Sequence, residues 1–448
     1  MQHLARIAYA TLLWLATPVY LLKLWRRGRV EPLYRHAIGE RLGFYGRDAA
    51  SSGWVWVHAV SLGETRAAAA LIAALRVQRP ALRLLLTHGT ATGRTAGAAL
   101  LRTGDRQVWL PFDTPGAVSR FFRHFQPAVG VLMETEIWPN LLHAAQRRSV
   151  PTVLANARLS ERSARKAERL QALFKPAARS VALVLAQTPE DAERLRAVGA
   201  PRVEVSGNVK FDMTPDAAQL ALGRAWRQTI GRPVVLAAST REGEEAALLS
   251  AWAQMRQHQP ATLTPPRPLL LIVPRHPQRF DEVAALIAAS GLTTLRRSTW
   301  ADAPPPEAAQ ADVWLGDSIG EMATYYSCAQ VALLGGSFEP LGGQNLIEAA
   351  ACGCPVLMGP HTFNFADAAA MAQREGAAMR VDNAETAVRV AMEMLTTSKI
   401  EERDASTPPG AACASADRAL VFASRHRGAA QRMAQQIAAL ISASATLC

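Results

Sequence analysis

Cysteine is scarce in this sequence, and its scarcity excludes two classes of protein. The chain of 448 residues contains five cysteines, which form neither a disulfide framework nor a convincing zinc set and indicate a reducing compartment. Cys352 and Cys354 form a CxC without a second ligand pair. We therefore interpret Cys352 as a buried thiol at the end of a helix and predict no metal ligands in this sequence.

Acidic residues are also in deficit. The chain has 37 aspartates and glutamates against 49 lysines and arginines, which gives a formal net charge of +12. This balance favours an anionic partner, whether nucleic acid, a phospholipid surface or a phosphorylated substrate. Charged residues make up only 19% of the chain and apolar residues 49%, so global disorder is excluded and two packed domains are expected.

No apolar run reaches the length of about 20 residues that usually spans a bilayer, although one at the N-terminus comes close. Ile7 to Leu22 contains no charged residue and is followed by the basic sequence KLWRRGR. A signal peptide is a rival, but no small-residue cleavage site follows, and a buried core helix is a second rival. We predict a membrane anchor that spans or dips into the bilayer, with the following domain held on the cytoplasmic side by the basic residues.

Short apolar runs alternate with helical stretches along the rest of the chain, which is typical of a doubly wound parallel sheet. The pattern restarts near Val234 and so predicts two Rossmann-like domains facing a central cleft, the architecture of GT-B glycosyltransferases. The predicted strands are Trp54–Val60, Leu82–Thr87, Val108–Leu110, Ala128–Met133, Thr152–Ala155, Val181–Ala186, Val203–Val205, Val234–Ala238, Leu269–Val273, Val331–Leu334 and Val356–Met358.

This pattern sets the predicted domain boundaries. We expect an anchor and basic linker over residues 1–30, an N-terminal acceptor domain over 31–212 and a C-terminal donor domain over 213–448. Segments rich in proline, alanine and serine at Thr262–Arg267, Ala301–Gln310 and Glu401–Asp417 suit mobile surface loops.

The most specific segment is Gly335–Phe365, which predicts a strand, a glycine-rich loop, a helix, a second strand and a second loop. Glycines let a backbone approach a phosphate closely, and the helix beginning near Gln344 adds the positive end of its dipole. Asn345 and Glu348 lie three residues apart on this helix, where a carboxylate can bind ribose hydroxyls. A tight connection with an exposed glutamate is the alternative.

Three further loops of the second domain follow predicted strands or precede helices, and we expect them to converge on a nucleotide. Arg275 suits a phosphate because its planar fork donates two hydrogen bonds. His276 is either a general acid or base or a solvated histidine. The segments Gly316–Met322 and Ser239–Gly243 each precede a helix and offer backbone N–H groups.

In the first domain, Glu64 lies where a strand meets a helix and is a candidate general base. Position alone leaves open a simpler role, the stabilisation of the helix dipole. The segment METEIWPN offers Glu134 and Glu136 after another strand, and Lys210 lies at the end of the domain, where it can neutralise a leaving phosphate. No DxD pair marks a divalent-metal site for a nucleotide sugar, so we expect metal-independent chemistry.

Six ordered motifs give the chain its resemblance to a known family. They are SLGET at 61, METEIWPN at 133, NARLSERS at 156, GNVKFD at 207, PRHPQRF at 274 and GGSFEPLGGQN through GPHTFNF from 335. With these motifs the chain resembles the 3-deoxy-D-manno-octulosonic acid (Kdo) transferases, which modify lipid A. The resemblance runs from the N-terminal anchor to the final helix.

The resemblance implies a GT-B fold, a CMP-Kdo donor with no further cofactor, a lipid A precursor (lipid IV-A) as acceptor, inversion at the anomeric carbon and a place at the bacterial inner membrane. It implies that Glu64 is the catalytic base and that Glu134 and Lys210 stabilise the transition state. The segments that match the family's CMP-binding positions contain Pro274, Arg275, Gly320, Glu321, Met322, Asn345, Leu346, Ile347 and Glu348. Gln344 and Arg241 stand where the family pattern has histidine, and Gln278 stands where it has glutamate.

Two rival functions stay open at this point. One is a GT-B enzyme of envelope biosynthesis that uses a UDP-sugar, and the other is a membrane-anchored nucleotide-binding protein without catalysis. A nucleic-acid role is disfavoured, because the basic residues cluster beside the apolar anchor, where they suit an anionic phospholipid surface.

Overall fold

The computed structural model describes residues 2–46, 51–257, 267–401 and 411–446. The chain divides into two compact units, the first formed by Met1–Asp212 with His426–Cys448 and the second by Met213–Arg425. Within the described ranges each unit contains a seven-stranded sheet whose strands pair in parallel. Apolar runs that are buried along their whole length form most of the inner strands, because helices cover both faces of a parallel sheet.

The first unit has the strand order β3-β2-β1-β4-β5-β6-β7. Its strands are β1 (Val55–His58), β2 (Leu84–His88), β3 (Arg106–Trp109), β4 (Val129–Met133), β5 (Thr152–Ala157), β6 (Leu183–Ala186) and β7 (Val203–Val205). Its helices up to residue 212 are α1 (Gln2–Arg27), α2 (Ile38–Arg41), α3 (Leu62–Gln78), α4 (Ala91–Ala98), α5 (Pro115–Phe125), α6 (Pro139–Arg147), α7 (Glu161–Arg169), α8 (Gln171–Arg179) and α9 (Pro189–Ala197), with 3-10 turns at Pro32–Arg35 and Val209–Asp212.

The second unit has the strand order β10-β11-β9-β8-β12-β13-β14. Its strands are β8 (Val234–Thr240), β9 (Leu269–Pro274), β10 (Thr294–Arg296), β11 (Val313–Leu315), β12 (Val331–Leu334), β13 (Val356–Met358) and β14 (Ala378–Arg380). Its helices are α10 (Ala217–Ile230), α11 (Glu244–Gln257), α12 (Phe280–Ala289), α13 (Met322–Cys328), α14 (Leu346–Ala351), α15 (Ala366–Arg374), α16 (Ala384–Glu401) and α17 (Ala411–Arg425), with 3-10 turns at Pro277–Arg279, Arg297–Thr299, Pro306–Ala309 and Phe363–Phe365.

Every predicted strand is present, with ends shifted by at most a few residues. Three strands of the second sheet were not predicted, namely β10, β11 and β14. Each is only three residues long, and β10 and β14 carry arginine and exposed or half-buried side chains at the edges of the sheet. Short, polar edge strands lack the apolar run on which the prediction depended, and the buried apolar run of β11 is only three residues long.

The last helix, α18 (Ala429–Thr446), corrects the predicted boundary of the C-terminal domain at 213–448, because it belongs to the first unit. It packs with α3 over one face of the first sheet, where Met433 and Ile437 are fully buried. Burial of each such side chain contributes about 1.5–3 kcal/mol. The Asp212 carboxylate accepts hydrogen bonds from the backbone N–H groups of Gly428 and Ala430 and so fixes the start of this helix.

Two of the predicted loop segments contain ordered structure within the described residues. In Ala301–Gln310, the indole N–H of Trp226 donates to the Asp302 carbonyl at 2.7 Å, and that of Trp314 donates to the Ala308 carbonyl at 2.9 Å. Residues 411–417 of the segment Glu401–Asp417 begin α17, whereas 402–410 lie outside the described residues. Of Thr262–Arg267, only Arg267 lies inside them.

Helix α1 is long and apolar enough to cross a membrane and is a candidate anchor. It is not a buried core helix, because Leu12, Trp14 and Val19 have 65–71% of their surface exposed. The other face of α1 contacts the rest of the first unit. The Tyr9 hydroxyl donates to the Asp113 carboxylate at 3.1 Å, and the Tyr20 ring lies 5.5 Å from that of Phe112.

Candidate functional site

Glu64 lies on the first turn of α3, directly after the central strand β1. Ser61 is the N-cap residue of this helix, in an extended conformation. The Val60 N–H donates to Oε2 of Glu64 at 2.8 Å, and the Ser61 hydroxyl donates to Oε1 at 2.9 Å. This arrangement resembles a capping box and holds the carboxylate at the carboxyl edge of the sheet, with lone pairs left on both oxygens.

The structure brings the other two predicted catalytic residues to the same edge. Glu134 follows β4 with a φ of 56°, a left-handed conformation uncommon for glutamate, and its Oε1 lies 3.5 Å from Nζ of Lys210. Both residues contribute to the electrostatic field at Glu64. A fourth charged group, Glu136, also lies close enough to interact with Glu64. Glu64, Glu134, Glu136 and Lys210 form what we call the acidic cluster.

Burial raises the pKa of Glu64 above its usual value, and the negative charge of Glu134 raises it further. The hydrogen bonds from Val60 and Ser61 and the charge of Lys210 oppose this rise without cancelling it. Burial raises the pKa of Glu136 to about 7, with a further contribution from Glu64, although the Trp138 indole N–H donates to Oε2 of Glu136 at 2.6 Å. Carboxylates with raised pKa values suit proton transfer near neutral pH.

Two asparagines that sequence reasoning passed over position Lys210. The carbonyl group of the Asn156 side chain accepts from the Val209 N–H at 3.1 Å, and that of Asn208 accepts from the Lys210 N–H at 2.9 Å. Asn156 is fully buried, has a φ of 55°, and lies in the motif NARLSERS. An asparagine directly after a predicted strand was the available signal, because asparagine tolerates a left-handed backbone better than most residues.

In the second unit the four predicted loops lie at one continuous edge. They follow β11, β9, β8 and β12, which are neighbours in the sheet. Gly335 passes so close to the loop after β8 that an added Cβ would lie 2.2 Å from the Ser239 carbonyl oxygen. The strand order therefore confirms that these loops share one edge of the sheet, and their convergence on a nucleotide stays a prediction.

A buried carboxylate that was not predicted organises these loops. Glu244, on the first turn of α11, is 1% exposed and accepts from the N–H groups of Gly336 at 2.7 Å, Arg241 at 2.9 Å and Phe338 at 3.0 Å. Gly335 and Gly343 also use their N–H groups within the unit. The glycine-rich loop thus has fewer N–H groups to offer a phosphate than the sequence suggested.

The predicted binding residues on the helix after this loop, α14, differ in burial and in their hydrogen bonds. Asn345 is the N-cap of α14, and its side-chain oxygen accepts from the Ile347 N–H at 3.2 Å. Leu346 and Ile347 are 1% exposed and belong to the core, so only their backbone can meet a ligand. Glu348 is half-buried one turn further along.

The remaining predicted residues of the second unit lie at the ends of β9 and β11. Pro274 is buried, while Arg275 is exposed and anchored by its N–H to the Thr240 carbonyl at 3.0 Å. Gly320 has a φ of 88°. The Glu321 carboxylate accepts from Arg297 at 2.8 Å and from the hydroxyls of Ser318 and Tyr325, which orders the turn.

His276 and Met322 complete these two loops. Burial lowers the pKa of His276, and the charges of Arg241 and Arg275 lower it further, so it is neutral near pH 7. Met322 is half-buried at the start of α13.

The cysteines and acids of the described ranges give no metal centre: no group of three or more His, Cys, Asp or Glu there could hold an ion. Cys352 is the C-cap residue of α14, as predicted, but it is half-buried rather than buried. Desolvation raises its pKa to about 12 and keeps it a thiol. Metal independence of the chemistry itself stays a prediction.

Comparisons with known proteins agree on one family. The family described as 3-deoxy-D-manno-octulosonic-acid transferase (kdotransferase) matches residues 36–213. The 3-deoxy-D-manno-octulosonic acid transferase of Bordetella pertussis is 49% identical over 84% of this chain and 88% of that protein. The enzyme of the same description from Haemophilus influenzae is 35% identical over 88% of this chain and 91% of that protein.

Solved structures agree on the fold. The crystal structure of a glycosyltransferase from Rickettsia africae ESF-5 matches 87% of this chain and 99% of its own with a TM-score of 0.55 and 11% sequence identity. At this identity the match concerns the fold alone. It confirms the predicted α/β architecture of the GT-B class with two Rossmann-like units.

Proposed function

The chain belongs to the family of Kdo transferases and acts as a glycosyltransferase of Kdo; we propose that its donor is CMP-Kdo and that its acceptor is the lipid A precursor lipid IV-A. The second unit supplies the cytidylate site through Pro274 and Arg275, the turn Gly320–Met322, and the helix start at Asn345–Glu348. The first unit supplies the acidic cluster. Transfer proceeds with inversion and without a metal ion.

One observation carries the chemical part of this proposal, namely the acidic cluster at the carboxyl edge of the first sheet. Glu64 has a raised pKa and free lone pairs, and a lysine and two further carboxylates surround it. Such a carboxylate is matched to the removal of a proton from a sugar hydroxyl near neutral pH.

In the proposed step an acceptor hydroxyl oxygen attacks the anomeric carbon of Kdo. The new C–O bond forms as the bond to the cytidylate phosphate oxygen breaks, and the electron pair leaves with the phosphate. The hydroxyl proton passes to Glu64. The transition state has oxocarbenium character, and the negative charge that grows on CMP is balanced by Lys210 and Arg275.

Helix α1 supports a membrane surface as the place of this reaction. Its contacts with the first unit lie towards both ends, since Tyr9 bonds to Asp113 and Leu24 is buried beside Tyr34. A helix held along its length by its own unit lies in the membrane interface more readily than it crosses the bilayer. We propose that α1 lies in the inner membrane on its cytoplasmic side and that the basic residues after it meet anionic phospholipids.

The transfer reaction is tested with purified full-length protein, CMP-Kdo and lipid IV-A in detergent. We expect the product mass to rise by one or more Kdo residues, and we expect no product when UDP-sugars replace CMP-Kdo. Calorimetry should show binding of CMP in preference to UDP. Transfer from a UDP-sugar contradicts the proposed donor, and nucleotide binding without any transfer contradicts the enzymatic function.

The membrane placement is tested separately with an N-terminal epitope in cells. An in-plane helix keeps both of its ends on the cytoplasmic side, so the epitope should resist protease in spheroplasts. Digestion of the epitope in intact spheroplasts indicates a spanning helix instead.

A further inference from the structure

A cavity of about 450 Å³ lies in the first unit between α1 and the carboxyl ends of the central strands. Leu13 and Tyr20 of α1 form one wall, and Phe112 and Leu141 contribute to the other. The volume falls within the range of about 300–1,000 Å³ that is usual for small-molecule sites. Most of the lining is apolar.

Two of the polar side chains in this lining each have a buried atom without a hydrogen-bond partner. Arg41 and His58 both line the cavity, and they are 3% and 0% exposed. Nε of Arg41 and Nε2 of His58 are buried and unpartnered. A buried polar atom without a partner costs about 1–3 kcal/mol, so a ligand that satisfies these atoms is favoured.

The two unpartnered atoms have opposite hydrogen-bonding characters. Nδ1 of His58 lies 2.9 Å from the Thr87 hydroxyl oxygen and 3.1 Å from the Thr87 carbonyl oxygen. Because the carbonyl can only accept, we assign the ring proton to Nδ1 and leave Nε2 as an acceptor. Arg41 donates to the Gly89 carbonyl at 3.2 Å and stacks on Trp109 at 4.0 Å, and its Nε remains a donor. These two unpartnered atoms therefore offer one donor and one acceptor within a mostly apolar lining.

We propose that this cavity binds an acyl chain of the lipid acceptor at the part of the chain that carries a hydroxyl group. A hydrocarbon matches the apolar walls. A hydroxyl is the small group that can accept from Nε of Arg41 or donate to Nε2 of His58. A plain acyl chain leaves both atoms unpartnered, and an anionic group faces the buried Asp113 carboxylate, which also lines the cavity.

The position of the cavity suits an acceptor that is bound at the acidic cluster. Two lining residues also contact that cluster: the Val60 N–H donates to Glu64, and the Trp138 indole donates to Glu136. On the opposite face of α1, Trp14 and Val19 are exposed and suited to lipid. A chain leaving the bilayer beside α1 would enter the cavity, with its sugar next to Glu64. This inference rests on the proposed lipid acceptor.

The test compares a cavity-filling variant with a matched surface variant of the same helix. Thr17 lines the cavity, whereas Val19 is 70% exposed, so Thr17→Trp fills the site and Val19→Trp adds the same ring outside it. Two synthetic acceptors of equal chain length are used, one with hydroxylated acyl chains and one without the hydroxyls. The measured quantity is kcat/KM for Kdo transfer.

We expect the wild-type enzyme to prefer the hydroxylated acceptor by about tenfold, the equivalent of one satisfied buried group. Thr17→Trp should lose most of this activity on both acylated acceptors and keep its rate on an acyl-free disaccharide, while Val19→Trp should resemble the wild type. His58→Phe removes the acceptor atom and should reduce the preference for the hydroxyl.

The outcomes separate this inference from the proposed function. Equal kcat/KM values for Thr17→Trp and Val19→Trp overturn the acyl site but leave Kdo transfer intact. The absence of transfer to any lipid acceptor by the wild type contradicts the proposed function itself. If Thr17→Trp weakens binding to phospholipid vesicles without changing acceptor use, the cavity holds bulk lipid and the inference is wrong.

Discussion

The two units place a glutamate at the same topological position and give it opposite environments. Glu64 and Glu244 each follow the first strand of their unit, β1 and β8, and each lies on the first turn of the next helix. Glu64 accepts one backbone N–H and one hydroxyl and lies among charged neighbours. Glu244 is 1% exposed and accepts three backbone N–H groups from two loops.

This difference shows that a glutamate which follows a strand can be predicted to lie at the carboxyl edge of the sheet, but that its role cannot be predicted from this position alone. A carboxylate whose oxygens are saturated by backbone donors holds loops together. One with unused lone pairs is available for proton transfer. The pKa does not separate the two, because burial raises the pKa of both Glu64 and Glu244. The number of hydrogen bonds each oxygen accepts and the burial of the side chain therefore separate a structural glutamate from a catalytic one.

The largest effect that tests this contrast is expected for Glu64→Gln. Loss of a general base lowers the rate by about 10²–10⁴-fold, while the amide oxygen still accepts a hydrogen bond at the cap. We expect kcat for Kdo transfer to fall by this factor, with CMP affinity and the free energy of unfolding little changed. Glu168→Gln, an exposed glutamate of α7, is the matched control. If Glu64→Gln turns over at a near-normal rate, Glu64 is not the general base.

For Glu244→Ala we expect a loss of stability, in contrast to the loss of rate expected for Glu64→Gln. This change leaves the N–H groups of Arg241, Gly336 and Phe338 without their acceptor, at a cost of about 1–3 kcal/mol for each group that water cannot reach. Urea unfolding should show a loss of about 3 kcal/mol, with a smaller loss for Glu244→Gln. The neighbouring Glu242 is exposed, so Glu242→Ala is the control and should unfold like the wild type. Equal stabilities of the two alanine variants contradict the structural role.

Lys210 provides a sharper test within the first unit through the pH dependence of transfer. Its positive charge lowers the pKa of Glu64, so its removal raises that pKa. Since a base acts only when deprotonated, the acid limb of kcat/KM should move to higher pH in Lys210→Met. The exposed Lys166 of α7 gives the control Lys166→Met, which removes the same net charge. If the acid limb of Lys210→Met stays in place, the charge of Lys210 does not influence the pKa of Glu64 and this prediction is wrong.

The strands and the grouping of the catalytic candidates could be predicted from sequence because both depend on local patterns. Buried apolar runs such as Leu269–Pro274 identify strands, and the carboxyl ends of parallel strands meet at one edge, which brings Glu64 and Glu134 together. Strand order in the second unit likewise joins the four predicted loops.

Features that depend on distant parts of the chain could not be predicted in this way. Helix α18 packs against α3 because an apolar face of the first sheet is left for it to cover. The sequence near residue 426 contains no local pattern that predicts this packing. Glu244 lies in the sequence REGEE, which is typical of a solvated first turn, and only the loop 335–338 makes it buried. Asp302 and Ala308 are ordered by indoles on α10 and β11.

The smallest expected effects come from the two helix caps that flank these sites, Ser61 on α3 and Asn345 on α14. Replacement of either cap by alanine should lower the free energy of unfolding by about 1 kcal/mol. Ser61→Ala also removes a hydroxyl that lowers the pKa of Glu64, so the acid limb of kcat/KM for this variant should move to higher pH. Asn345→Ala should instead raise the CMP-Kdo concentration at half-maximal rate. Ser160→Ala removes the comparable cap of α7, outside both sites, and should lose stability without either kinetic change. A Ser61→Ala profile identical to that of Ser160→Ala would mean that the cap serves the helix alone and that the hydroxyl does not tune the glutamate.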